Sequence, residues 1–504
     1  MAERRLPIGL IAIVPVIAGF AVWAFTGQQP VADPDATPTA SSQATATPAS
    51  AATPPSPPAA TPPSPPAAPA PVEPEATPTQ ALTSHGDFHE GAWVRVDAGA
   101  GDCLNARSRP SLEPEYNIVN ICLPDGYEGY LDGAAQQADG HFWWFMAGMG
   151  WVAEDYLRYV RDVSLREPMA PALAGKGRIA FVRGADVWLM EADGSGQRVL
   201  LDRDDDEQAS IADGLSWSPD GTMIAFNVQR WGAAEQGVTL HVVALDGREA
   251  LVAPGVAGGG WSHDGRRIGM GKDAIYDGMG GGYEGIPGWL DVTTGELHAF
   301  GSERSWQQSP PAFSPDSALL LGTYAKFDGG DGRRSIVLWT PDGAEHRRID
   351  MPDDTYYGSP AWSPHGLIAF HVSAGDRPHY AVYDIASGGI VDEAPVPRAS
   401  PNIGGRCGGA NMWRLEWSRD GRSIHYSYGM GDTGANGAWT WDLDTGQQRV
   451  APAMGASSVS AGPEGLIAFS AAGARRSMIF VAPGDGGMPA LITEGSAPAW
   501  QPAP

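Results

Sequence analysis

Cysteine, basic residues and catalytic signatures are all scarce in this chain of 504 residues. Three cysteines are too few for a disulfide-rich scaffold. The 33 Lys and Arg residues stand against 59 Asp and Glu, so the formal net charge is -26. Proteins that bind nucleic acid carry basic faces, so this charge excludes nucleic acid as the default partner. The 66 Gly and 44 Pro argue against a mainly helical fold.

The chain also lacks the common catalytic motifs. It contains no G-x-S-x-G, no H-E-x-x-H and no P-loop. Residues 280–285 fit G-x-G-x-x-G in letters only, because they precede Pro287 in a Gly-rich stretch that does not predict a helix. The acidic run 202–207 lacks the ligand spacing of a Ca²⁺ loop, and we interpret it as a solvated loop. We therefore predict a protein that is not an enzyme and has no cofactor and no metal.

The N-terminus carries an uncharged apolar run from Leu6 to Phe25. About 20 apolar residues span a bilayer core. Arg4 and Arg5 precede the run, and such residues favour a cytoplasmic N-terminus. Residues 1–26 are therefore predicted to be a single-pass transmembrane anchor with the following domains on the extracytoplasmic side. A cleaved signal peptide is the alternative.

Residues 27–83 are dominated by Pro, Ala, Thr and Ser, and the octad TPPSPPAA occurs at 53–60 and again at 61–68. This composition cannot build a core and is typical of extended, polyproline-like chain. We predict a disordered linker that spaces the anchor from the domains behind it.

Residues 84–165 alternate short strand-like runs with Gly and Asp-Gly turns, which predicts a small β domain. The stretches 93–96 (WVRV), 105–111 (NARSRPS), 150–152 (GWV) and 156–157 (YL) resemble a bacterial Src-homology-3-like domain. The resemblance implies a small barrel of a kind often used to bind peptide or cell-wall material. An exposed aromatic groove would have to carry that role. The candidates for it are Tyr116, Tyr127, Tyr130 and Trp143.

The alternative for the tryptophans of this domain is structural: Trp143, Trp144 and Trp151 would fill a small core.

Cys103 and Cys122 lie next to predicted strands of the same domain. Outside the cytoplasm such a pair is oxidised, so we predict a Cys103–Cys122 disulfide, with two reduced buried thiols as the alternative.

Internal repetition dominates residues 173–504. The motif Trp-Ser-Pro-Asp-Gly is intact at 217–221, and each copy precedes an apolar strand. Altered copies begin at 261, 313, 362 and 417. A degraded copy has Ala461 at the Trp position, and Trp500 begins a copy that breaks off. Asp-Gly turns end the strand pairs, as expected for antiparallel hairpins.

The first repeat begins directly at its apolar strand and lacks the motif tryptophan. The last repeat consists of little more than its motif tryptophan, so the two partial repeats together make one complete unit. A ring of β blades closes in this way when the C-terminal strand joins the first blade. Six intervals between motif positions, plus this divided unit, predict seven blades, with six as the alternative. The motif, followed by Ile-Ala-Phe strands at 224, 368 and 467, resembles the TolB-type, WD40-like propeller family. The predicted fold class is all-β.

Propellers bind through their loops. Insertions at 272–288, 325–334 and 401–413 are predicted to lie between strands. Their candidate interaction residues are Tyr283, Trp289, Arg333, Arg334, Arg406 and Trp413. The order of anchor, linker, barrel and propeller predicts a membrane-tethered scaffold for an envelope protein or a cell-wall peptide or glycan.

The alternative is a hydrolase or lyase with a metal-assisted site in the propeller channel. It would draw on the available histidines, which are His241, His263, His365 and His425.

Overall fold

The structure is a computed structural model, and it describes residues 86–162, 171–203, 209–230, 237–276, 282–307, 309–325, 334–350, 355–374, 378–397, 415–428 and 437–502. These ranges contain β-strands and four short 3-10 turns, which are Pro114–Tyr116, Glu154–Tyr156, Pro171–Leu173 and Pro463–Gly465. None of the helical segments in these ranges has the length and apolar character needed to cross a membrane. The predicted anchor and linker lie outside them.

The N-terminal domain is one antiparallel sheet of seven strands. The strands are β1 (Ala92–Val96), β2 (Cys103–Arg107), β3 (Asn117–Pro124), β4 (Glu128–Ala138), β5 (His141–Met146), β6 (Gly150–Ala153) and β7 (Leu157–Asp162). Their order across the sheet is β3-β2-β6-β5-β4-β1-β7. All seven strands contribute to one apolar cluster, so the sheet wraps around a single core as a small barrel. In β1, Ala92, Val94 and Val96 face this core, which is the period of two expected of a strand.

The rest of the described chain contains twenty-nine further strands. They are β8 (Arg178–Arg183), β9 (Asp186–Glu191), β10 (Arg198–Leu201), β11 (Ala209–Trp217), β12 (Met223–Arg230), β13 (Val238–Ala244), β14 (Glu249–Pro254), β15 (Val256–Trp261), β16 (Arg267–Tyr276), β17 (Tyr283–Asp291), β18 (Leu297–Ala299), β19 (Ser305–Gln307), β20 (Ala312–Phe313), β21 (Leu320–Ala325), β22 (Arg334–Trp339), β23 (Glu345–Asp350), β24 (Thr355–Trp362), β25 (Leu367–Ala374), β26 (His379–Asp384), β27 (Gly389–Pro395), β28 (Leu415–Trp417), β29 (Ser423–Tyr428), β30 (Gly437–Asp442), β31 (Gln448–Ala451), β32 (Ser457–Ala461), β33 (Leu466–Ala472), β34 (Ser477–Pro483), β35 (Ala490–Glu494) and β36 (Ser496–Trp500).

Apart from β19, these strands form seven four-stranded units, which we call blades. Blade 1 is β36-β8-β9-β10, and blades 2 to 7 begin with β11, β15, β20, β24, β28 and β32. Neighbouring blades contact each other through their first strands, except that blade 4 contacts β24 of blade 5 through β21 and β22. Blade 7 contacts blade 1 through β32 and β36. The contacts therefore run in a closed ring, which is the arrangement of a β-propeller.

The ring closes where the two ends of the repeat region meet. In blade 1, β36 pairs antiparallel with β8, with Trp500 opposite Ile179 and Ala499 opposite Ala180. This confirms the prediction that the C-terminal motif completes the first repeat. The pairing also covers the edge of β8, which would otherwise be unpaired at the join.

Blades 3 and 4 are fused into one nine-stranded sheet, in which β19 also pairs with β17 and β21. The two inner strands meet in a parallel bridge between Gly260 and Ala312. A Cβ atom on Gly259 would lie 2.2 Å from the carbonyl oxygen of Pro311, so only glycine allows this approach. Blade 4 is also the blade whose motif begins with Phe313 instead of tryptophan.

Candidate functional site

The turns of the propeller divide between two faces of the ring. Strands alternate in direction within each blade, so the turns after the first and third strands lie on one face and the other connections on the opposite face. The Trp-Ser-Pro-Asp-Gly turns fall on the first, which we call the motif face. The connections after the second and fourth strands fall on the other, which we call the loop face.

On the motif face, the tryptophans fasten neighbouring blades together. In four blades the indole Nε1 donates a hydrogen bond to the carbonyl oxygen of the residue just before the motif aromatic of the preceding blade, whereas the indole of Trp500 donates to the carbonyl oxygen of Lys176. The bonds are Trp217 to Ala499 (2.9 Å), Trp261 to Ser216 (3.2 Å), Trp362 to Ala312 (3.1 Å) and Trp417 to Ala361 (3.0 Å). The motif tryptophan therefore supplies a directed bond between blades in addition to its packing.

The Ser and Asp of the motif hold its turn. Ser218 Oγ donates to Asp220 Oδ1 at 2.6 Å and accepts from the main-chain nitrogen of Met223 at 2.9 Å. The same pair of bonds recurs from Ser262, Ser314 and Ser418. The serine hydrogen bond is the main reason that the pKa of Asp220 lies below its ordinary value. These side chains are engaged in architecture, as the sequence predicts.

The histidines proposed for a metal-assisted site do not come together. His425 is buried, its Nδ1 lies 3.0 Å from Thr440 Oγ1, and burial lowers its pKa to about 4. His241 pairs with Glu249 at 2.7 Å. His365 lies on the motif face, where its Nε2 meets the carbonyl oxygen of Asp420 at 2.9 Å, and His263 is exposed there. Across the described ranges, no three His, Cys, Asp or Glu side chains are grouped so that they could hold a metal ion.

Two of the four groove candidates of the barrel are buried, and the other two are half-buried. Trp143 is 2% exposed, and its Nε1 donates to the carbonyl oxygen of Ala138 at 3.0 Å. Tyr130 is buried in an apolar cluster shared with blade 7. Tyr127 packs against the barrel core, and burial raises the pKa of its hydroxyl. Tyr116 is half-buried, with the Arg109 guanidinium 5.3 Å from the centre of its ring.

The predicted disulfide is present. Cys103 and Cys122 are bonded, with their Cα atoms 5.4 Å apart. They lie on the neighbouring strands β2 and β3, where Asn105 pairs with Cys122, and both residues are exposed. The two cysteines are 19 positions apart in sequence, and the bond closes the segment that contains the long β2–β3 connection.

The barrel is docked on the loop face of blade 7. The main-chain nitrogen of Gly148, between β5 and β6, donates to the carbonyl oxygen of Ala472 at 2.8 Å. The carbonyl oxygen of Gly148 accepts from Met454 at 2.6 Å. A Cβ atom on Gly148 would lie 2.5 Å from the Phe480 ring, so this turn requires glycine. Backbone hydrogen bonds and a shared apolar cluster therefore join the two domains.

A buried carboxylate reinforces this interface. Asp132, on β4, is 6% exposed. Its Oδ2 accepts a hydrogen bond from the main-chain nitrogen of Ala474 at 2.5 Å, and the nitrogen of Arg475 also donates to it. The Arg475 guanidinium reaches Glu90 of the barrel at 3.8 Å. Desolvation is the largest effect on Asp132 and raises its pKa above the ordinary value.

A cavity of about 700 Å³ opens on the loop face, between blades 7 and 1. Its walls come from the β8–β9 turn, the start of β34 and the β35–β36 connection. Its lining includes the side chains of Arg183, Asp186, Trp188, Arg476, Ser477 and Glu494. Arg476 directly follows the turn that holds Asp132, so the barrel contacts one side of this turn and the cavity lies at the other.

Arg183 makes the wall of this cavity rigid. Its guanidinium lies 4.5 Å from the ring centre of Trp188. It also donates to Thr493 Oγ1 at 2.7 Å and to the carbonyl oxygen of Glu494 at 3.0 Å. Opposite, Arg476 Nη1 bonds both carboxylate oxygens of Glu494, at 2.8 and 2.9 Å. Side chains from blades 1 and 7 are thus fixed to each other at the join of the ring.

Two of the loop-face candidates from the sequence, Tyr283 and Trp289, are not among the residues that line this cavity. Tyr283 lies within the loop expected at 272–288, and Trp289 directly follows it, but both residues are on strand β17. Tyr283 is fully buried, and Trp289 stacks on His298 at 3.7 Å and donates to Pro341. The expectation was wrong because glycine here serves close packing: a Cβ atom on Gly288 would lie 2.1 Å from the His298 carbonyl oxygen.

The other loop-face candidates cannot be placed at a site. Arg333, Arg406 and Trp413 lie outside the described residues. Arg334 begins strand β22. No sequence motif marks the cavity or the barrel interface, since their residues belong to ordinary hairpin turns.

Comparison with known proteins gives similarities of fold only. No protein-family model and no curated protein matches the chain. A crystal structure of TolB from Acinetobacter baumannii matches at 16% identity and a TM-score of 0.38, over 74% of this chain and 82% of that one. Prolyl oligopeptidase B from Galerina marginata matches at 13% identity and a TM-score of 0.44, over 73% of this chain. This chain spans about half (51%) of the oligopeptidase.

A third similar structure is the β-propeller domain of the Trilobed protease from Pyrococcus furiosus. It matches at 12% identity and a TM-score of 0.36, over 55% of this chain and 82% of that one. The ring described above rests on the strand pairing of this chain itself, and these similarities carry nothing about its ligand.

Proposed function

We propose that this chain is a non-catalytic binding protein, tethered to a membrane, that presents its barrel and propeller as one recognition surface outside the cytoplasm. The observation that carries the proposal is the docking of the barrel on the loop face, next to the cavity between blades 7 and 1. Loops and the clefts beside them are where propellers and other rigid scaffolds bind. A fixed barrel enlarges that surface.

The location rests on the sequence and on the disulfide. The apolar run at residues 6–25 fits a single-pass anchor, and residues 27–83 fit a spacer. The Cys103–Cys122 disulfide suits an oxidising compartment. The barrel is assigned as Src-homology-3-like and the ring as a seven-bladed TolB-type propeller. The proposed partner is an envelope protein or a cell-wall peptide or glycan.

Capture by the full-length chain in detergent tests this function. The immobilised protein is incubated with insoluble cell-wall material and, separately, with solubilised envelope proteins, and we expect retention of one of them. Gly148→Trp forces a side chain against Phe480 and should reduce retention, because the barrel can no longer dock. Gly86→Trp is the matched control, since nothing lies within 4 Å of a Cβ atom there.

The proposal is wrong if the folded wild-type chain retains neither material. Equal retention by wild-type and Gly148→Trp would contradict the shared surface. Circular dichroism of each variant shows whether its strands are intact.

A further inference from the structure

We infer that the cavity between blades 7 and 1 is a binding site for an uncharged saccharide. This inference rests on the proposed binding function and names the ligand class of one part of that surface. The volume, about 700 Å³, lies within the range of small-molecule sites, which is about 300–1,000 Å³. The cavity lies on the loop face, beside the barrel.

The charges of the cavity wall cancel. Arg183 and Arg476 supply two guanidinium groups, and Asp186 and Glu494 supply two carboxylates. A polyanion would meet these carboxylates within a chain of net charge -26, and a polycation would meet the guanidinium groups. A ligand without net charge avoids both penalties.

The wall combines hydrogen-bonding side chains with apolar surface. Arg476 and Ser477 can donate, while Asp186 and Glu494 accept. Hydroxyl groups both donate and accept, so a saccharide can use every part of this wall. Val182 and Trp188 are the apolar side chains among the lining residues. The hydroxyl groups of a saccharide can bond to the polar part of this wall, and its C–H faces can pack against the apolar part.

The site is held in place before any ligand arrives. The Arg183 guanidinium is fixed by the Trp188 ring at 4.5 Å and by acceptors on Thr493 and Glu494. Gly495 lets the backbone pass Phe181, since a Cβ atom there would lie 2.7 Å from that ring. A preorganised wall lowers the entropy cost of binding.

The turn that the barrel contacts leads directly into the cavity wall. Asp132 of the barrel holds Ala474 at 2.5 Å, and Arg476 and Ser477, which line the cavity, come two and three residues later. The barrel therefore positions part of the saccharide site without contacting the ligand itself.

Titration calorimetry with the N-acetylglucosamine tetramer tests the inference. The protein is the full-length chain in a detergent without a sugar headgroup, and an uncharged blocked tetrapeptide is the comparison ligand. We expect heat with the tetramer and none with the peptide. Ser477→Trp, a substitution at an exposed position, should fill the cavity and weaken binding at least tenfold. Arg476→Ala should weaken binding about fivefold, because a charged donor is lost.

Ser302→Trp is the matched control, because Ser302 is also exposed on the loop face and lies outside the cavity. The inference is overturned if the tetramer gives no heat, if the peptide binds in its place, or if Ser477→Trp binds as tightly as Ser302→Trp. Retention of envelope material by Ser477→Trp separates the two proposals. Undiminished retention without tetramer binding would leave the proposed function standing and this saccharide site refuted.

Discussion

The carboxylate of Glu416 accepts a hydrogen bond from the main-chain nitrogen of Ala461 at 3.0 Å, at the blade contact where the repeat has alanine in place of tryptophan. Elsewhere the residue before the motif aromatic is small: Ser216, Gly260, Ala312 and Ala361. A tryptophan of the next blade bonds to the carbonyl of three of them. Between blades 6 and 7 a carboxylate side chain replaces the indole as the polar link.

Glu416→Ala should therefore destabilise the propeller. The Ala461 nitrogen lies in a residue that is 5% exposed, and it would lose its acceptor. An unsatisfied buried donor costs about 1–3 kcal/mol of unfolding free energy. Urea unfolding followed by tryptophan fluorescence measures the loss.

Glu416→Gln retains an acceptor oxygen and should lose less than half as much. Glu115→Ala, on the exposed Pro114–Tyr116 turn, is the control for removing a carboxylate. Equal midpoints for Glu416→Ala and Glu115→Ala would show that the bond to Ala461 contributes nothing.

Trp217→Phe tests the bond across the join of the ring. The substitution keeps an aromatic ring but removes the Nε1 donor that reaches Ala499, on the C-terminal strand, at 2.9 Å. We expect a loss of about 1 kcal/mol or somewhat more, the net value of one such bond plus its desolvated acceptor. Trp151→Phe in the barrel is the control, because its indole makes no bond between blades. Thermal unfolding midpoints that fall equally in both variants would contradict this account.

The ring closure could be predicted because its two halves are both visible in the sequence. Trp500 follows the last full repeat, and the first repeat begins directly at Ile179 without a tryptophan. Each copy of a repeated motif also predicts the strand and turn positions of its own repeat. A wrong prediction in one repeat therefore leaves the predictions for the others unchanged. The Cys103–Cys122 bond could be predicted because its partners lie close in sequence, next to predicted strands of one small domain.

The cavity could not be predicted, because closure itself creates it. Arg183 and Glu494 are separated by 311 positions and meet only when β36 joins β8. Neither belongs to the repeat motif, and single charged residues at hairpin ends are common. The barrel interface has the same cause: Asp132 reaches Ala474 across 342 positions.

The loop predicted at 272–288 was wrong because of its glycine residues. A glycine-rich stretch indicates a loop when its residues adopt positive φ angles. Gly288 instead lies within β17, where neighbouring backbone leaves no room for a side chain. Sequence alone does not distinguish a glycine in a loop from a glycine in a closely packed strand. The sequence therefore predicts Tyr283 at the surface, whereas its side chain is fully buried.

Acid should destabilise the propeller through its buried histidines. Burial lowers the pKa of His425 from 6.5 to about 4, so the unfolded chain binds a proton in this window that the folded chain does not. Stability is therefore lost as pH falls from about 6.5 towards 4, by about 1.4 kcal/mol for each pH unit. His425→Gln keeps a polar side chain beside Thr440 but does not titrate, so its stability should fall less between pH 7 and 5. His263→Gln, at an exposed position on the motif face, should follow the wild type.

Asp132 should have the opposite pH dependence, and this distinguishes the barrel interface from the rest of the fold. Burial raises its pKa in the folded chain, so the folded chain binds the proton more tightly than the unfolded chain. Its contribution to stability therefore grows as pH falls through the raised pKa towards the ordinary value of 3.8. Carboxylates with lowered pKa values, such as Asp220 and Asp420, instead contribute less to stability as the pH falls.

Asp132→Asn isolates this effect, because the amide oxygen still accepts from Ala474 while the titrating group is gone. Relative to Asp132→Asn, the wild type should gain stability between pH 7 and 4. Asp132→Leu leaves the Ala474 nitrogen without an acceptor and should lose about 1–3 kcal/mol at every pH. Chemical unfolding of the three proteins across this pH range is the measurement. If acidification instead destabilises the wild type relative to Asp132→Asn, burial does not raise the pKa of Asp132 in the folded chain.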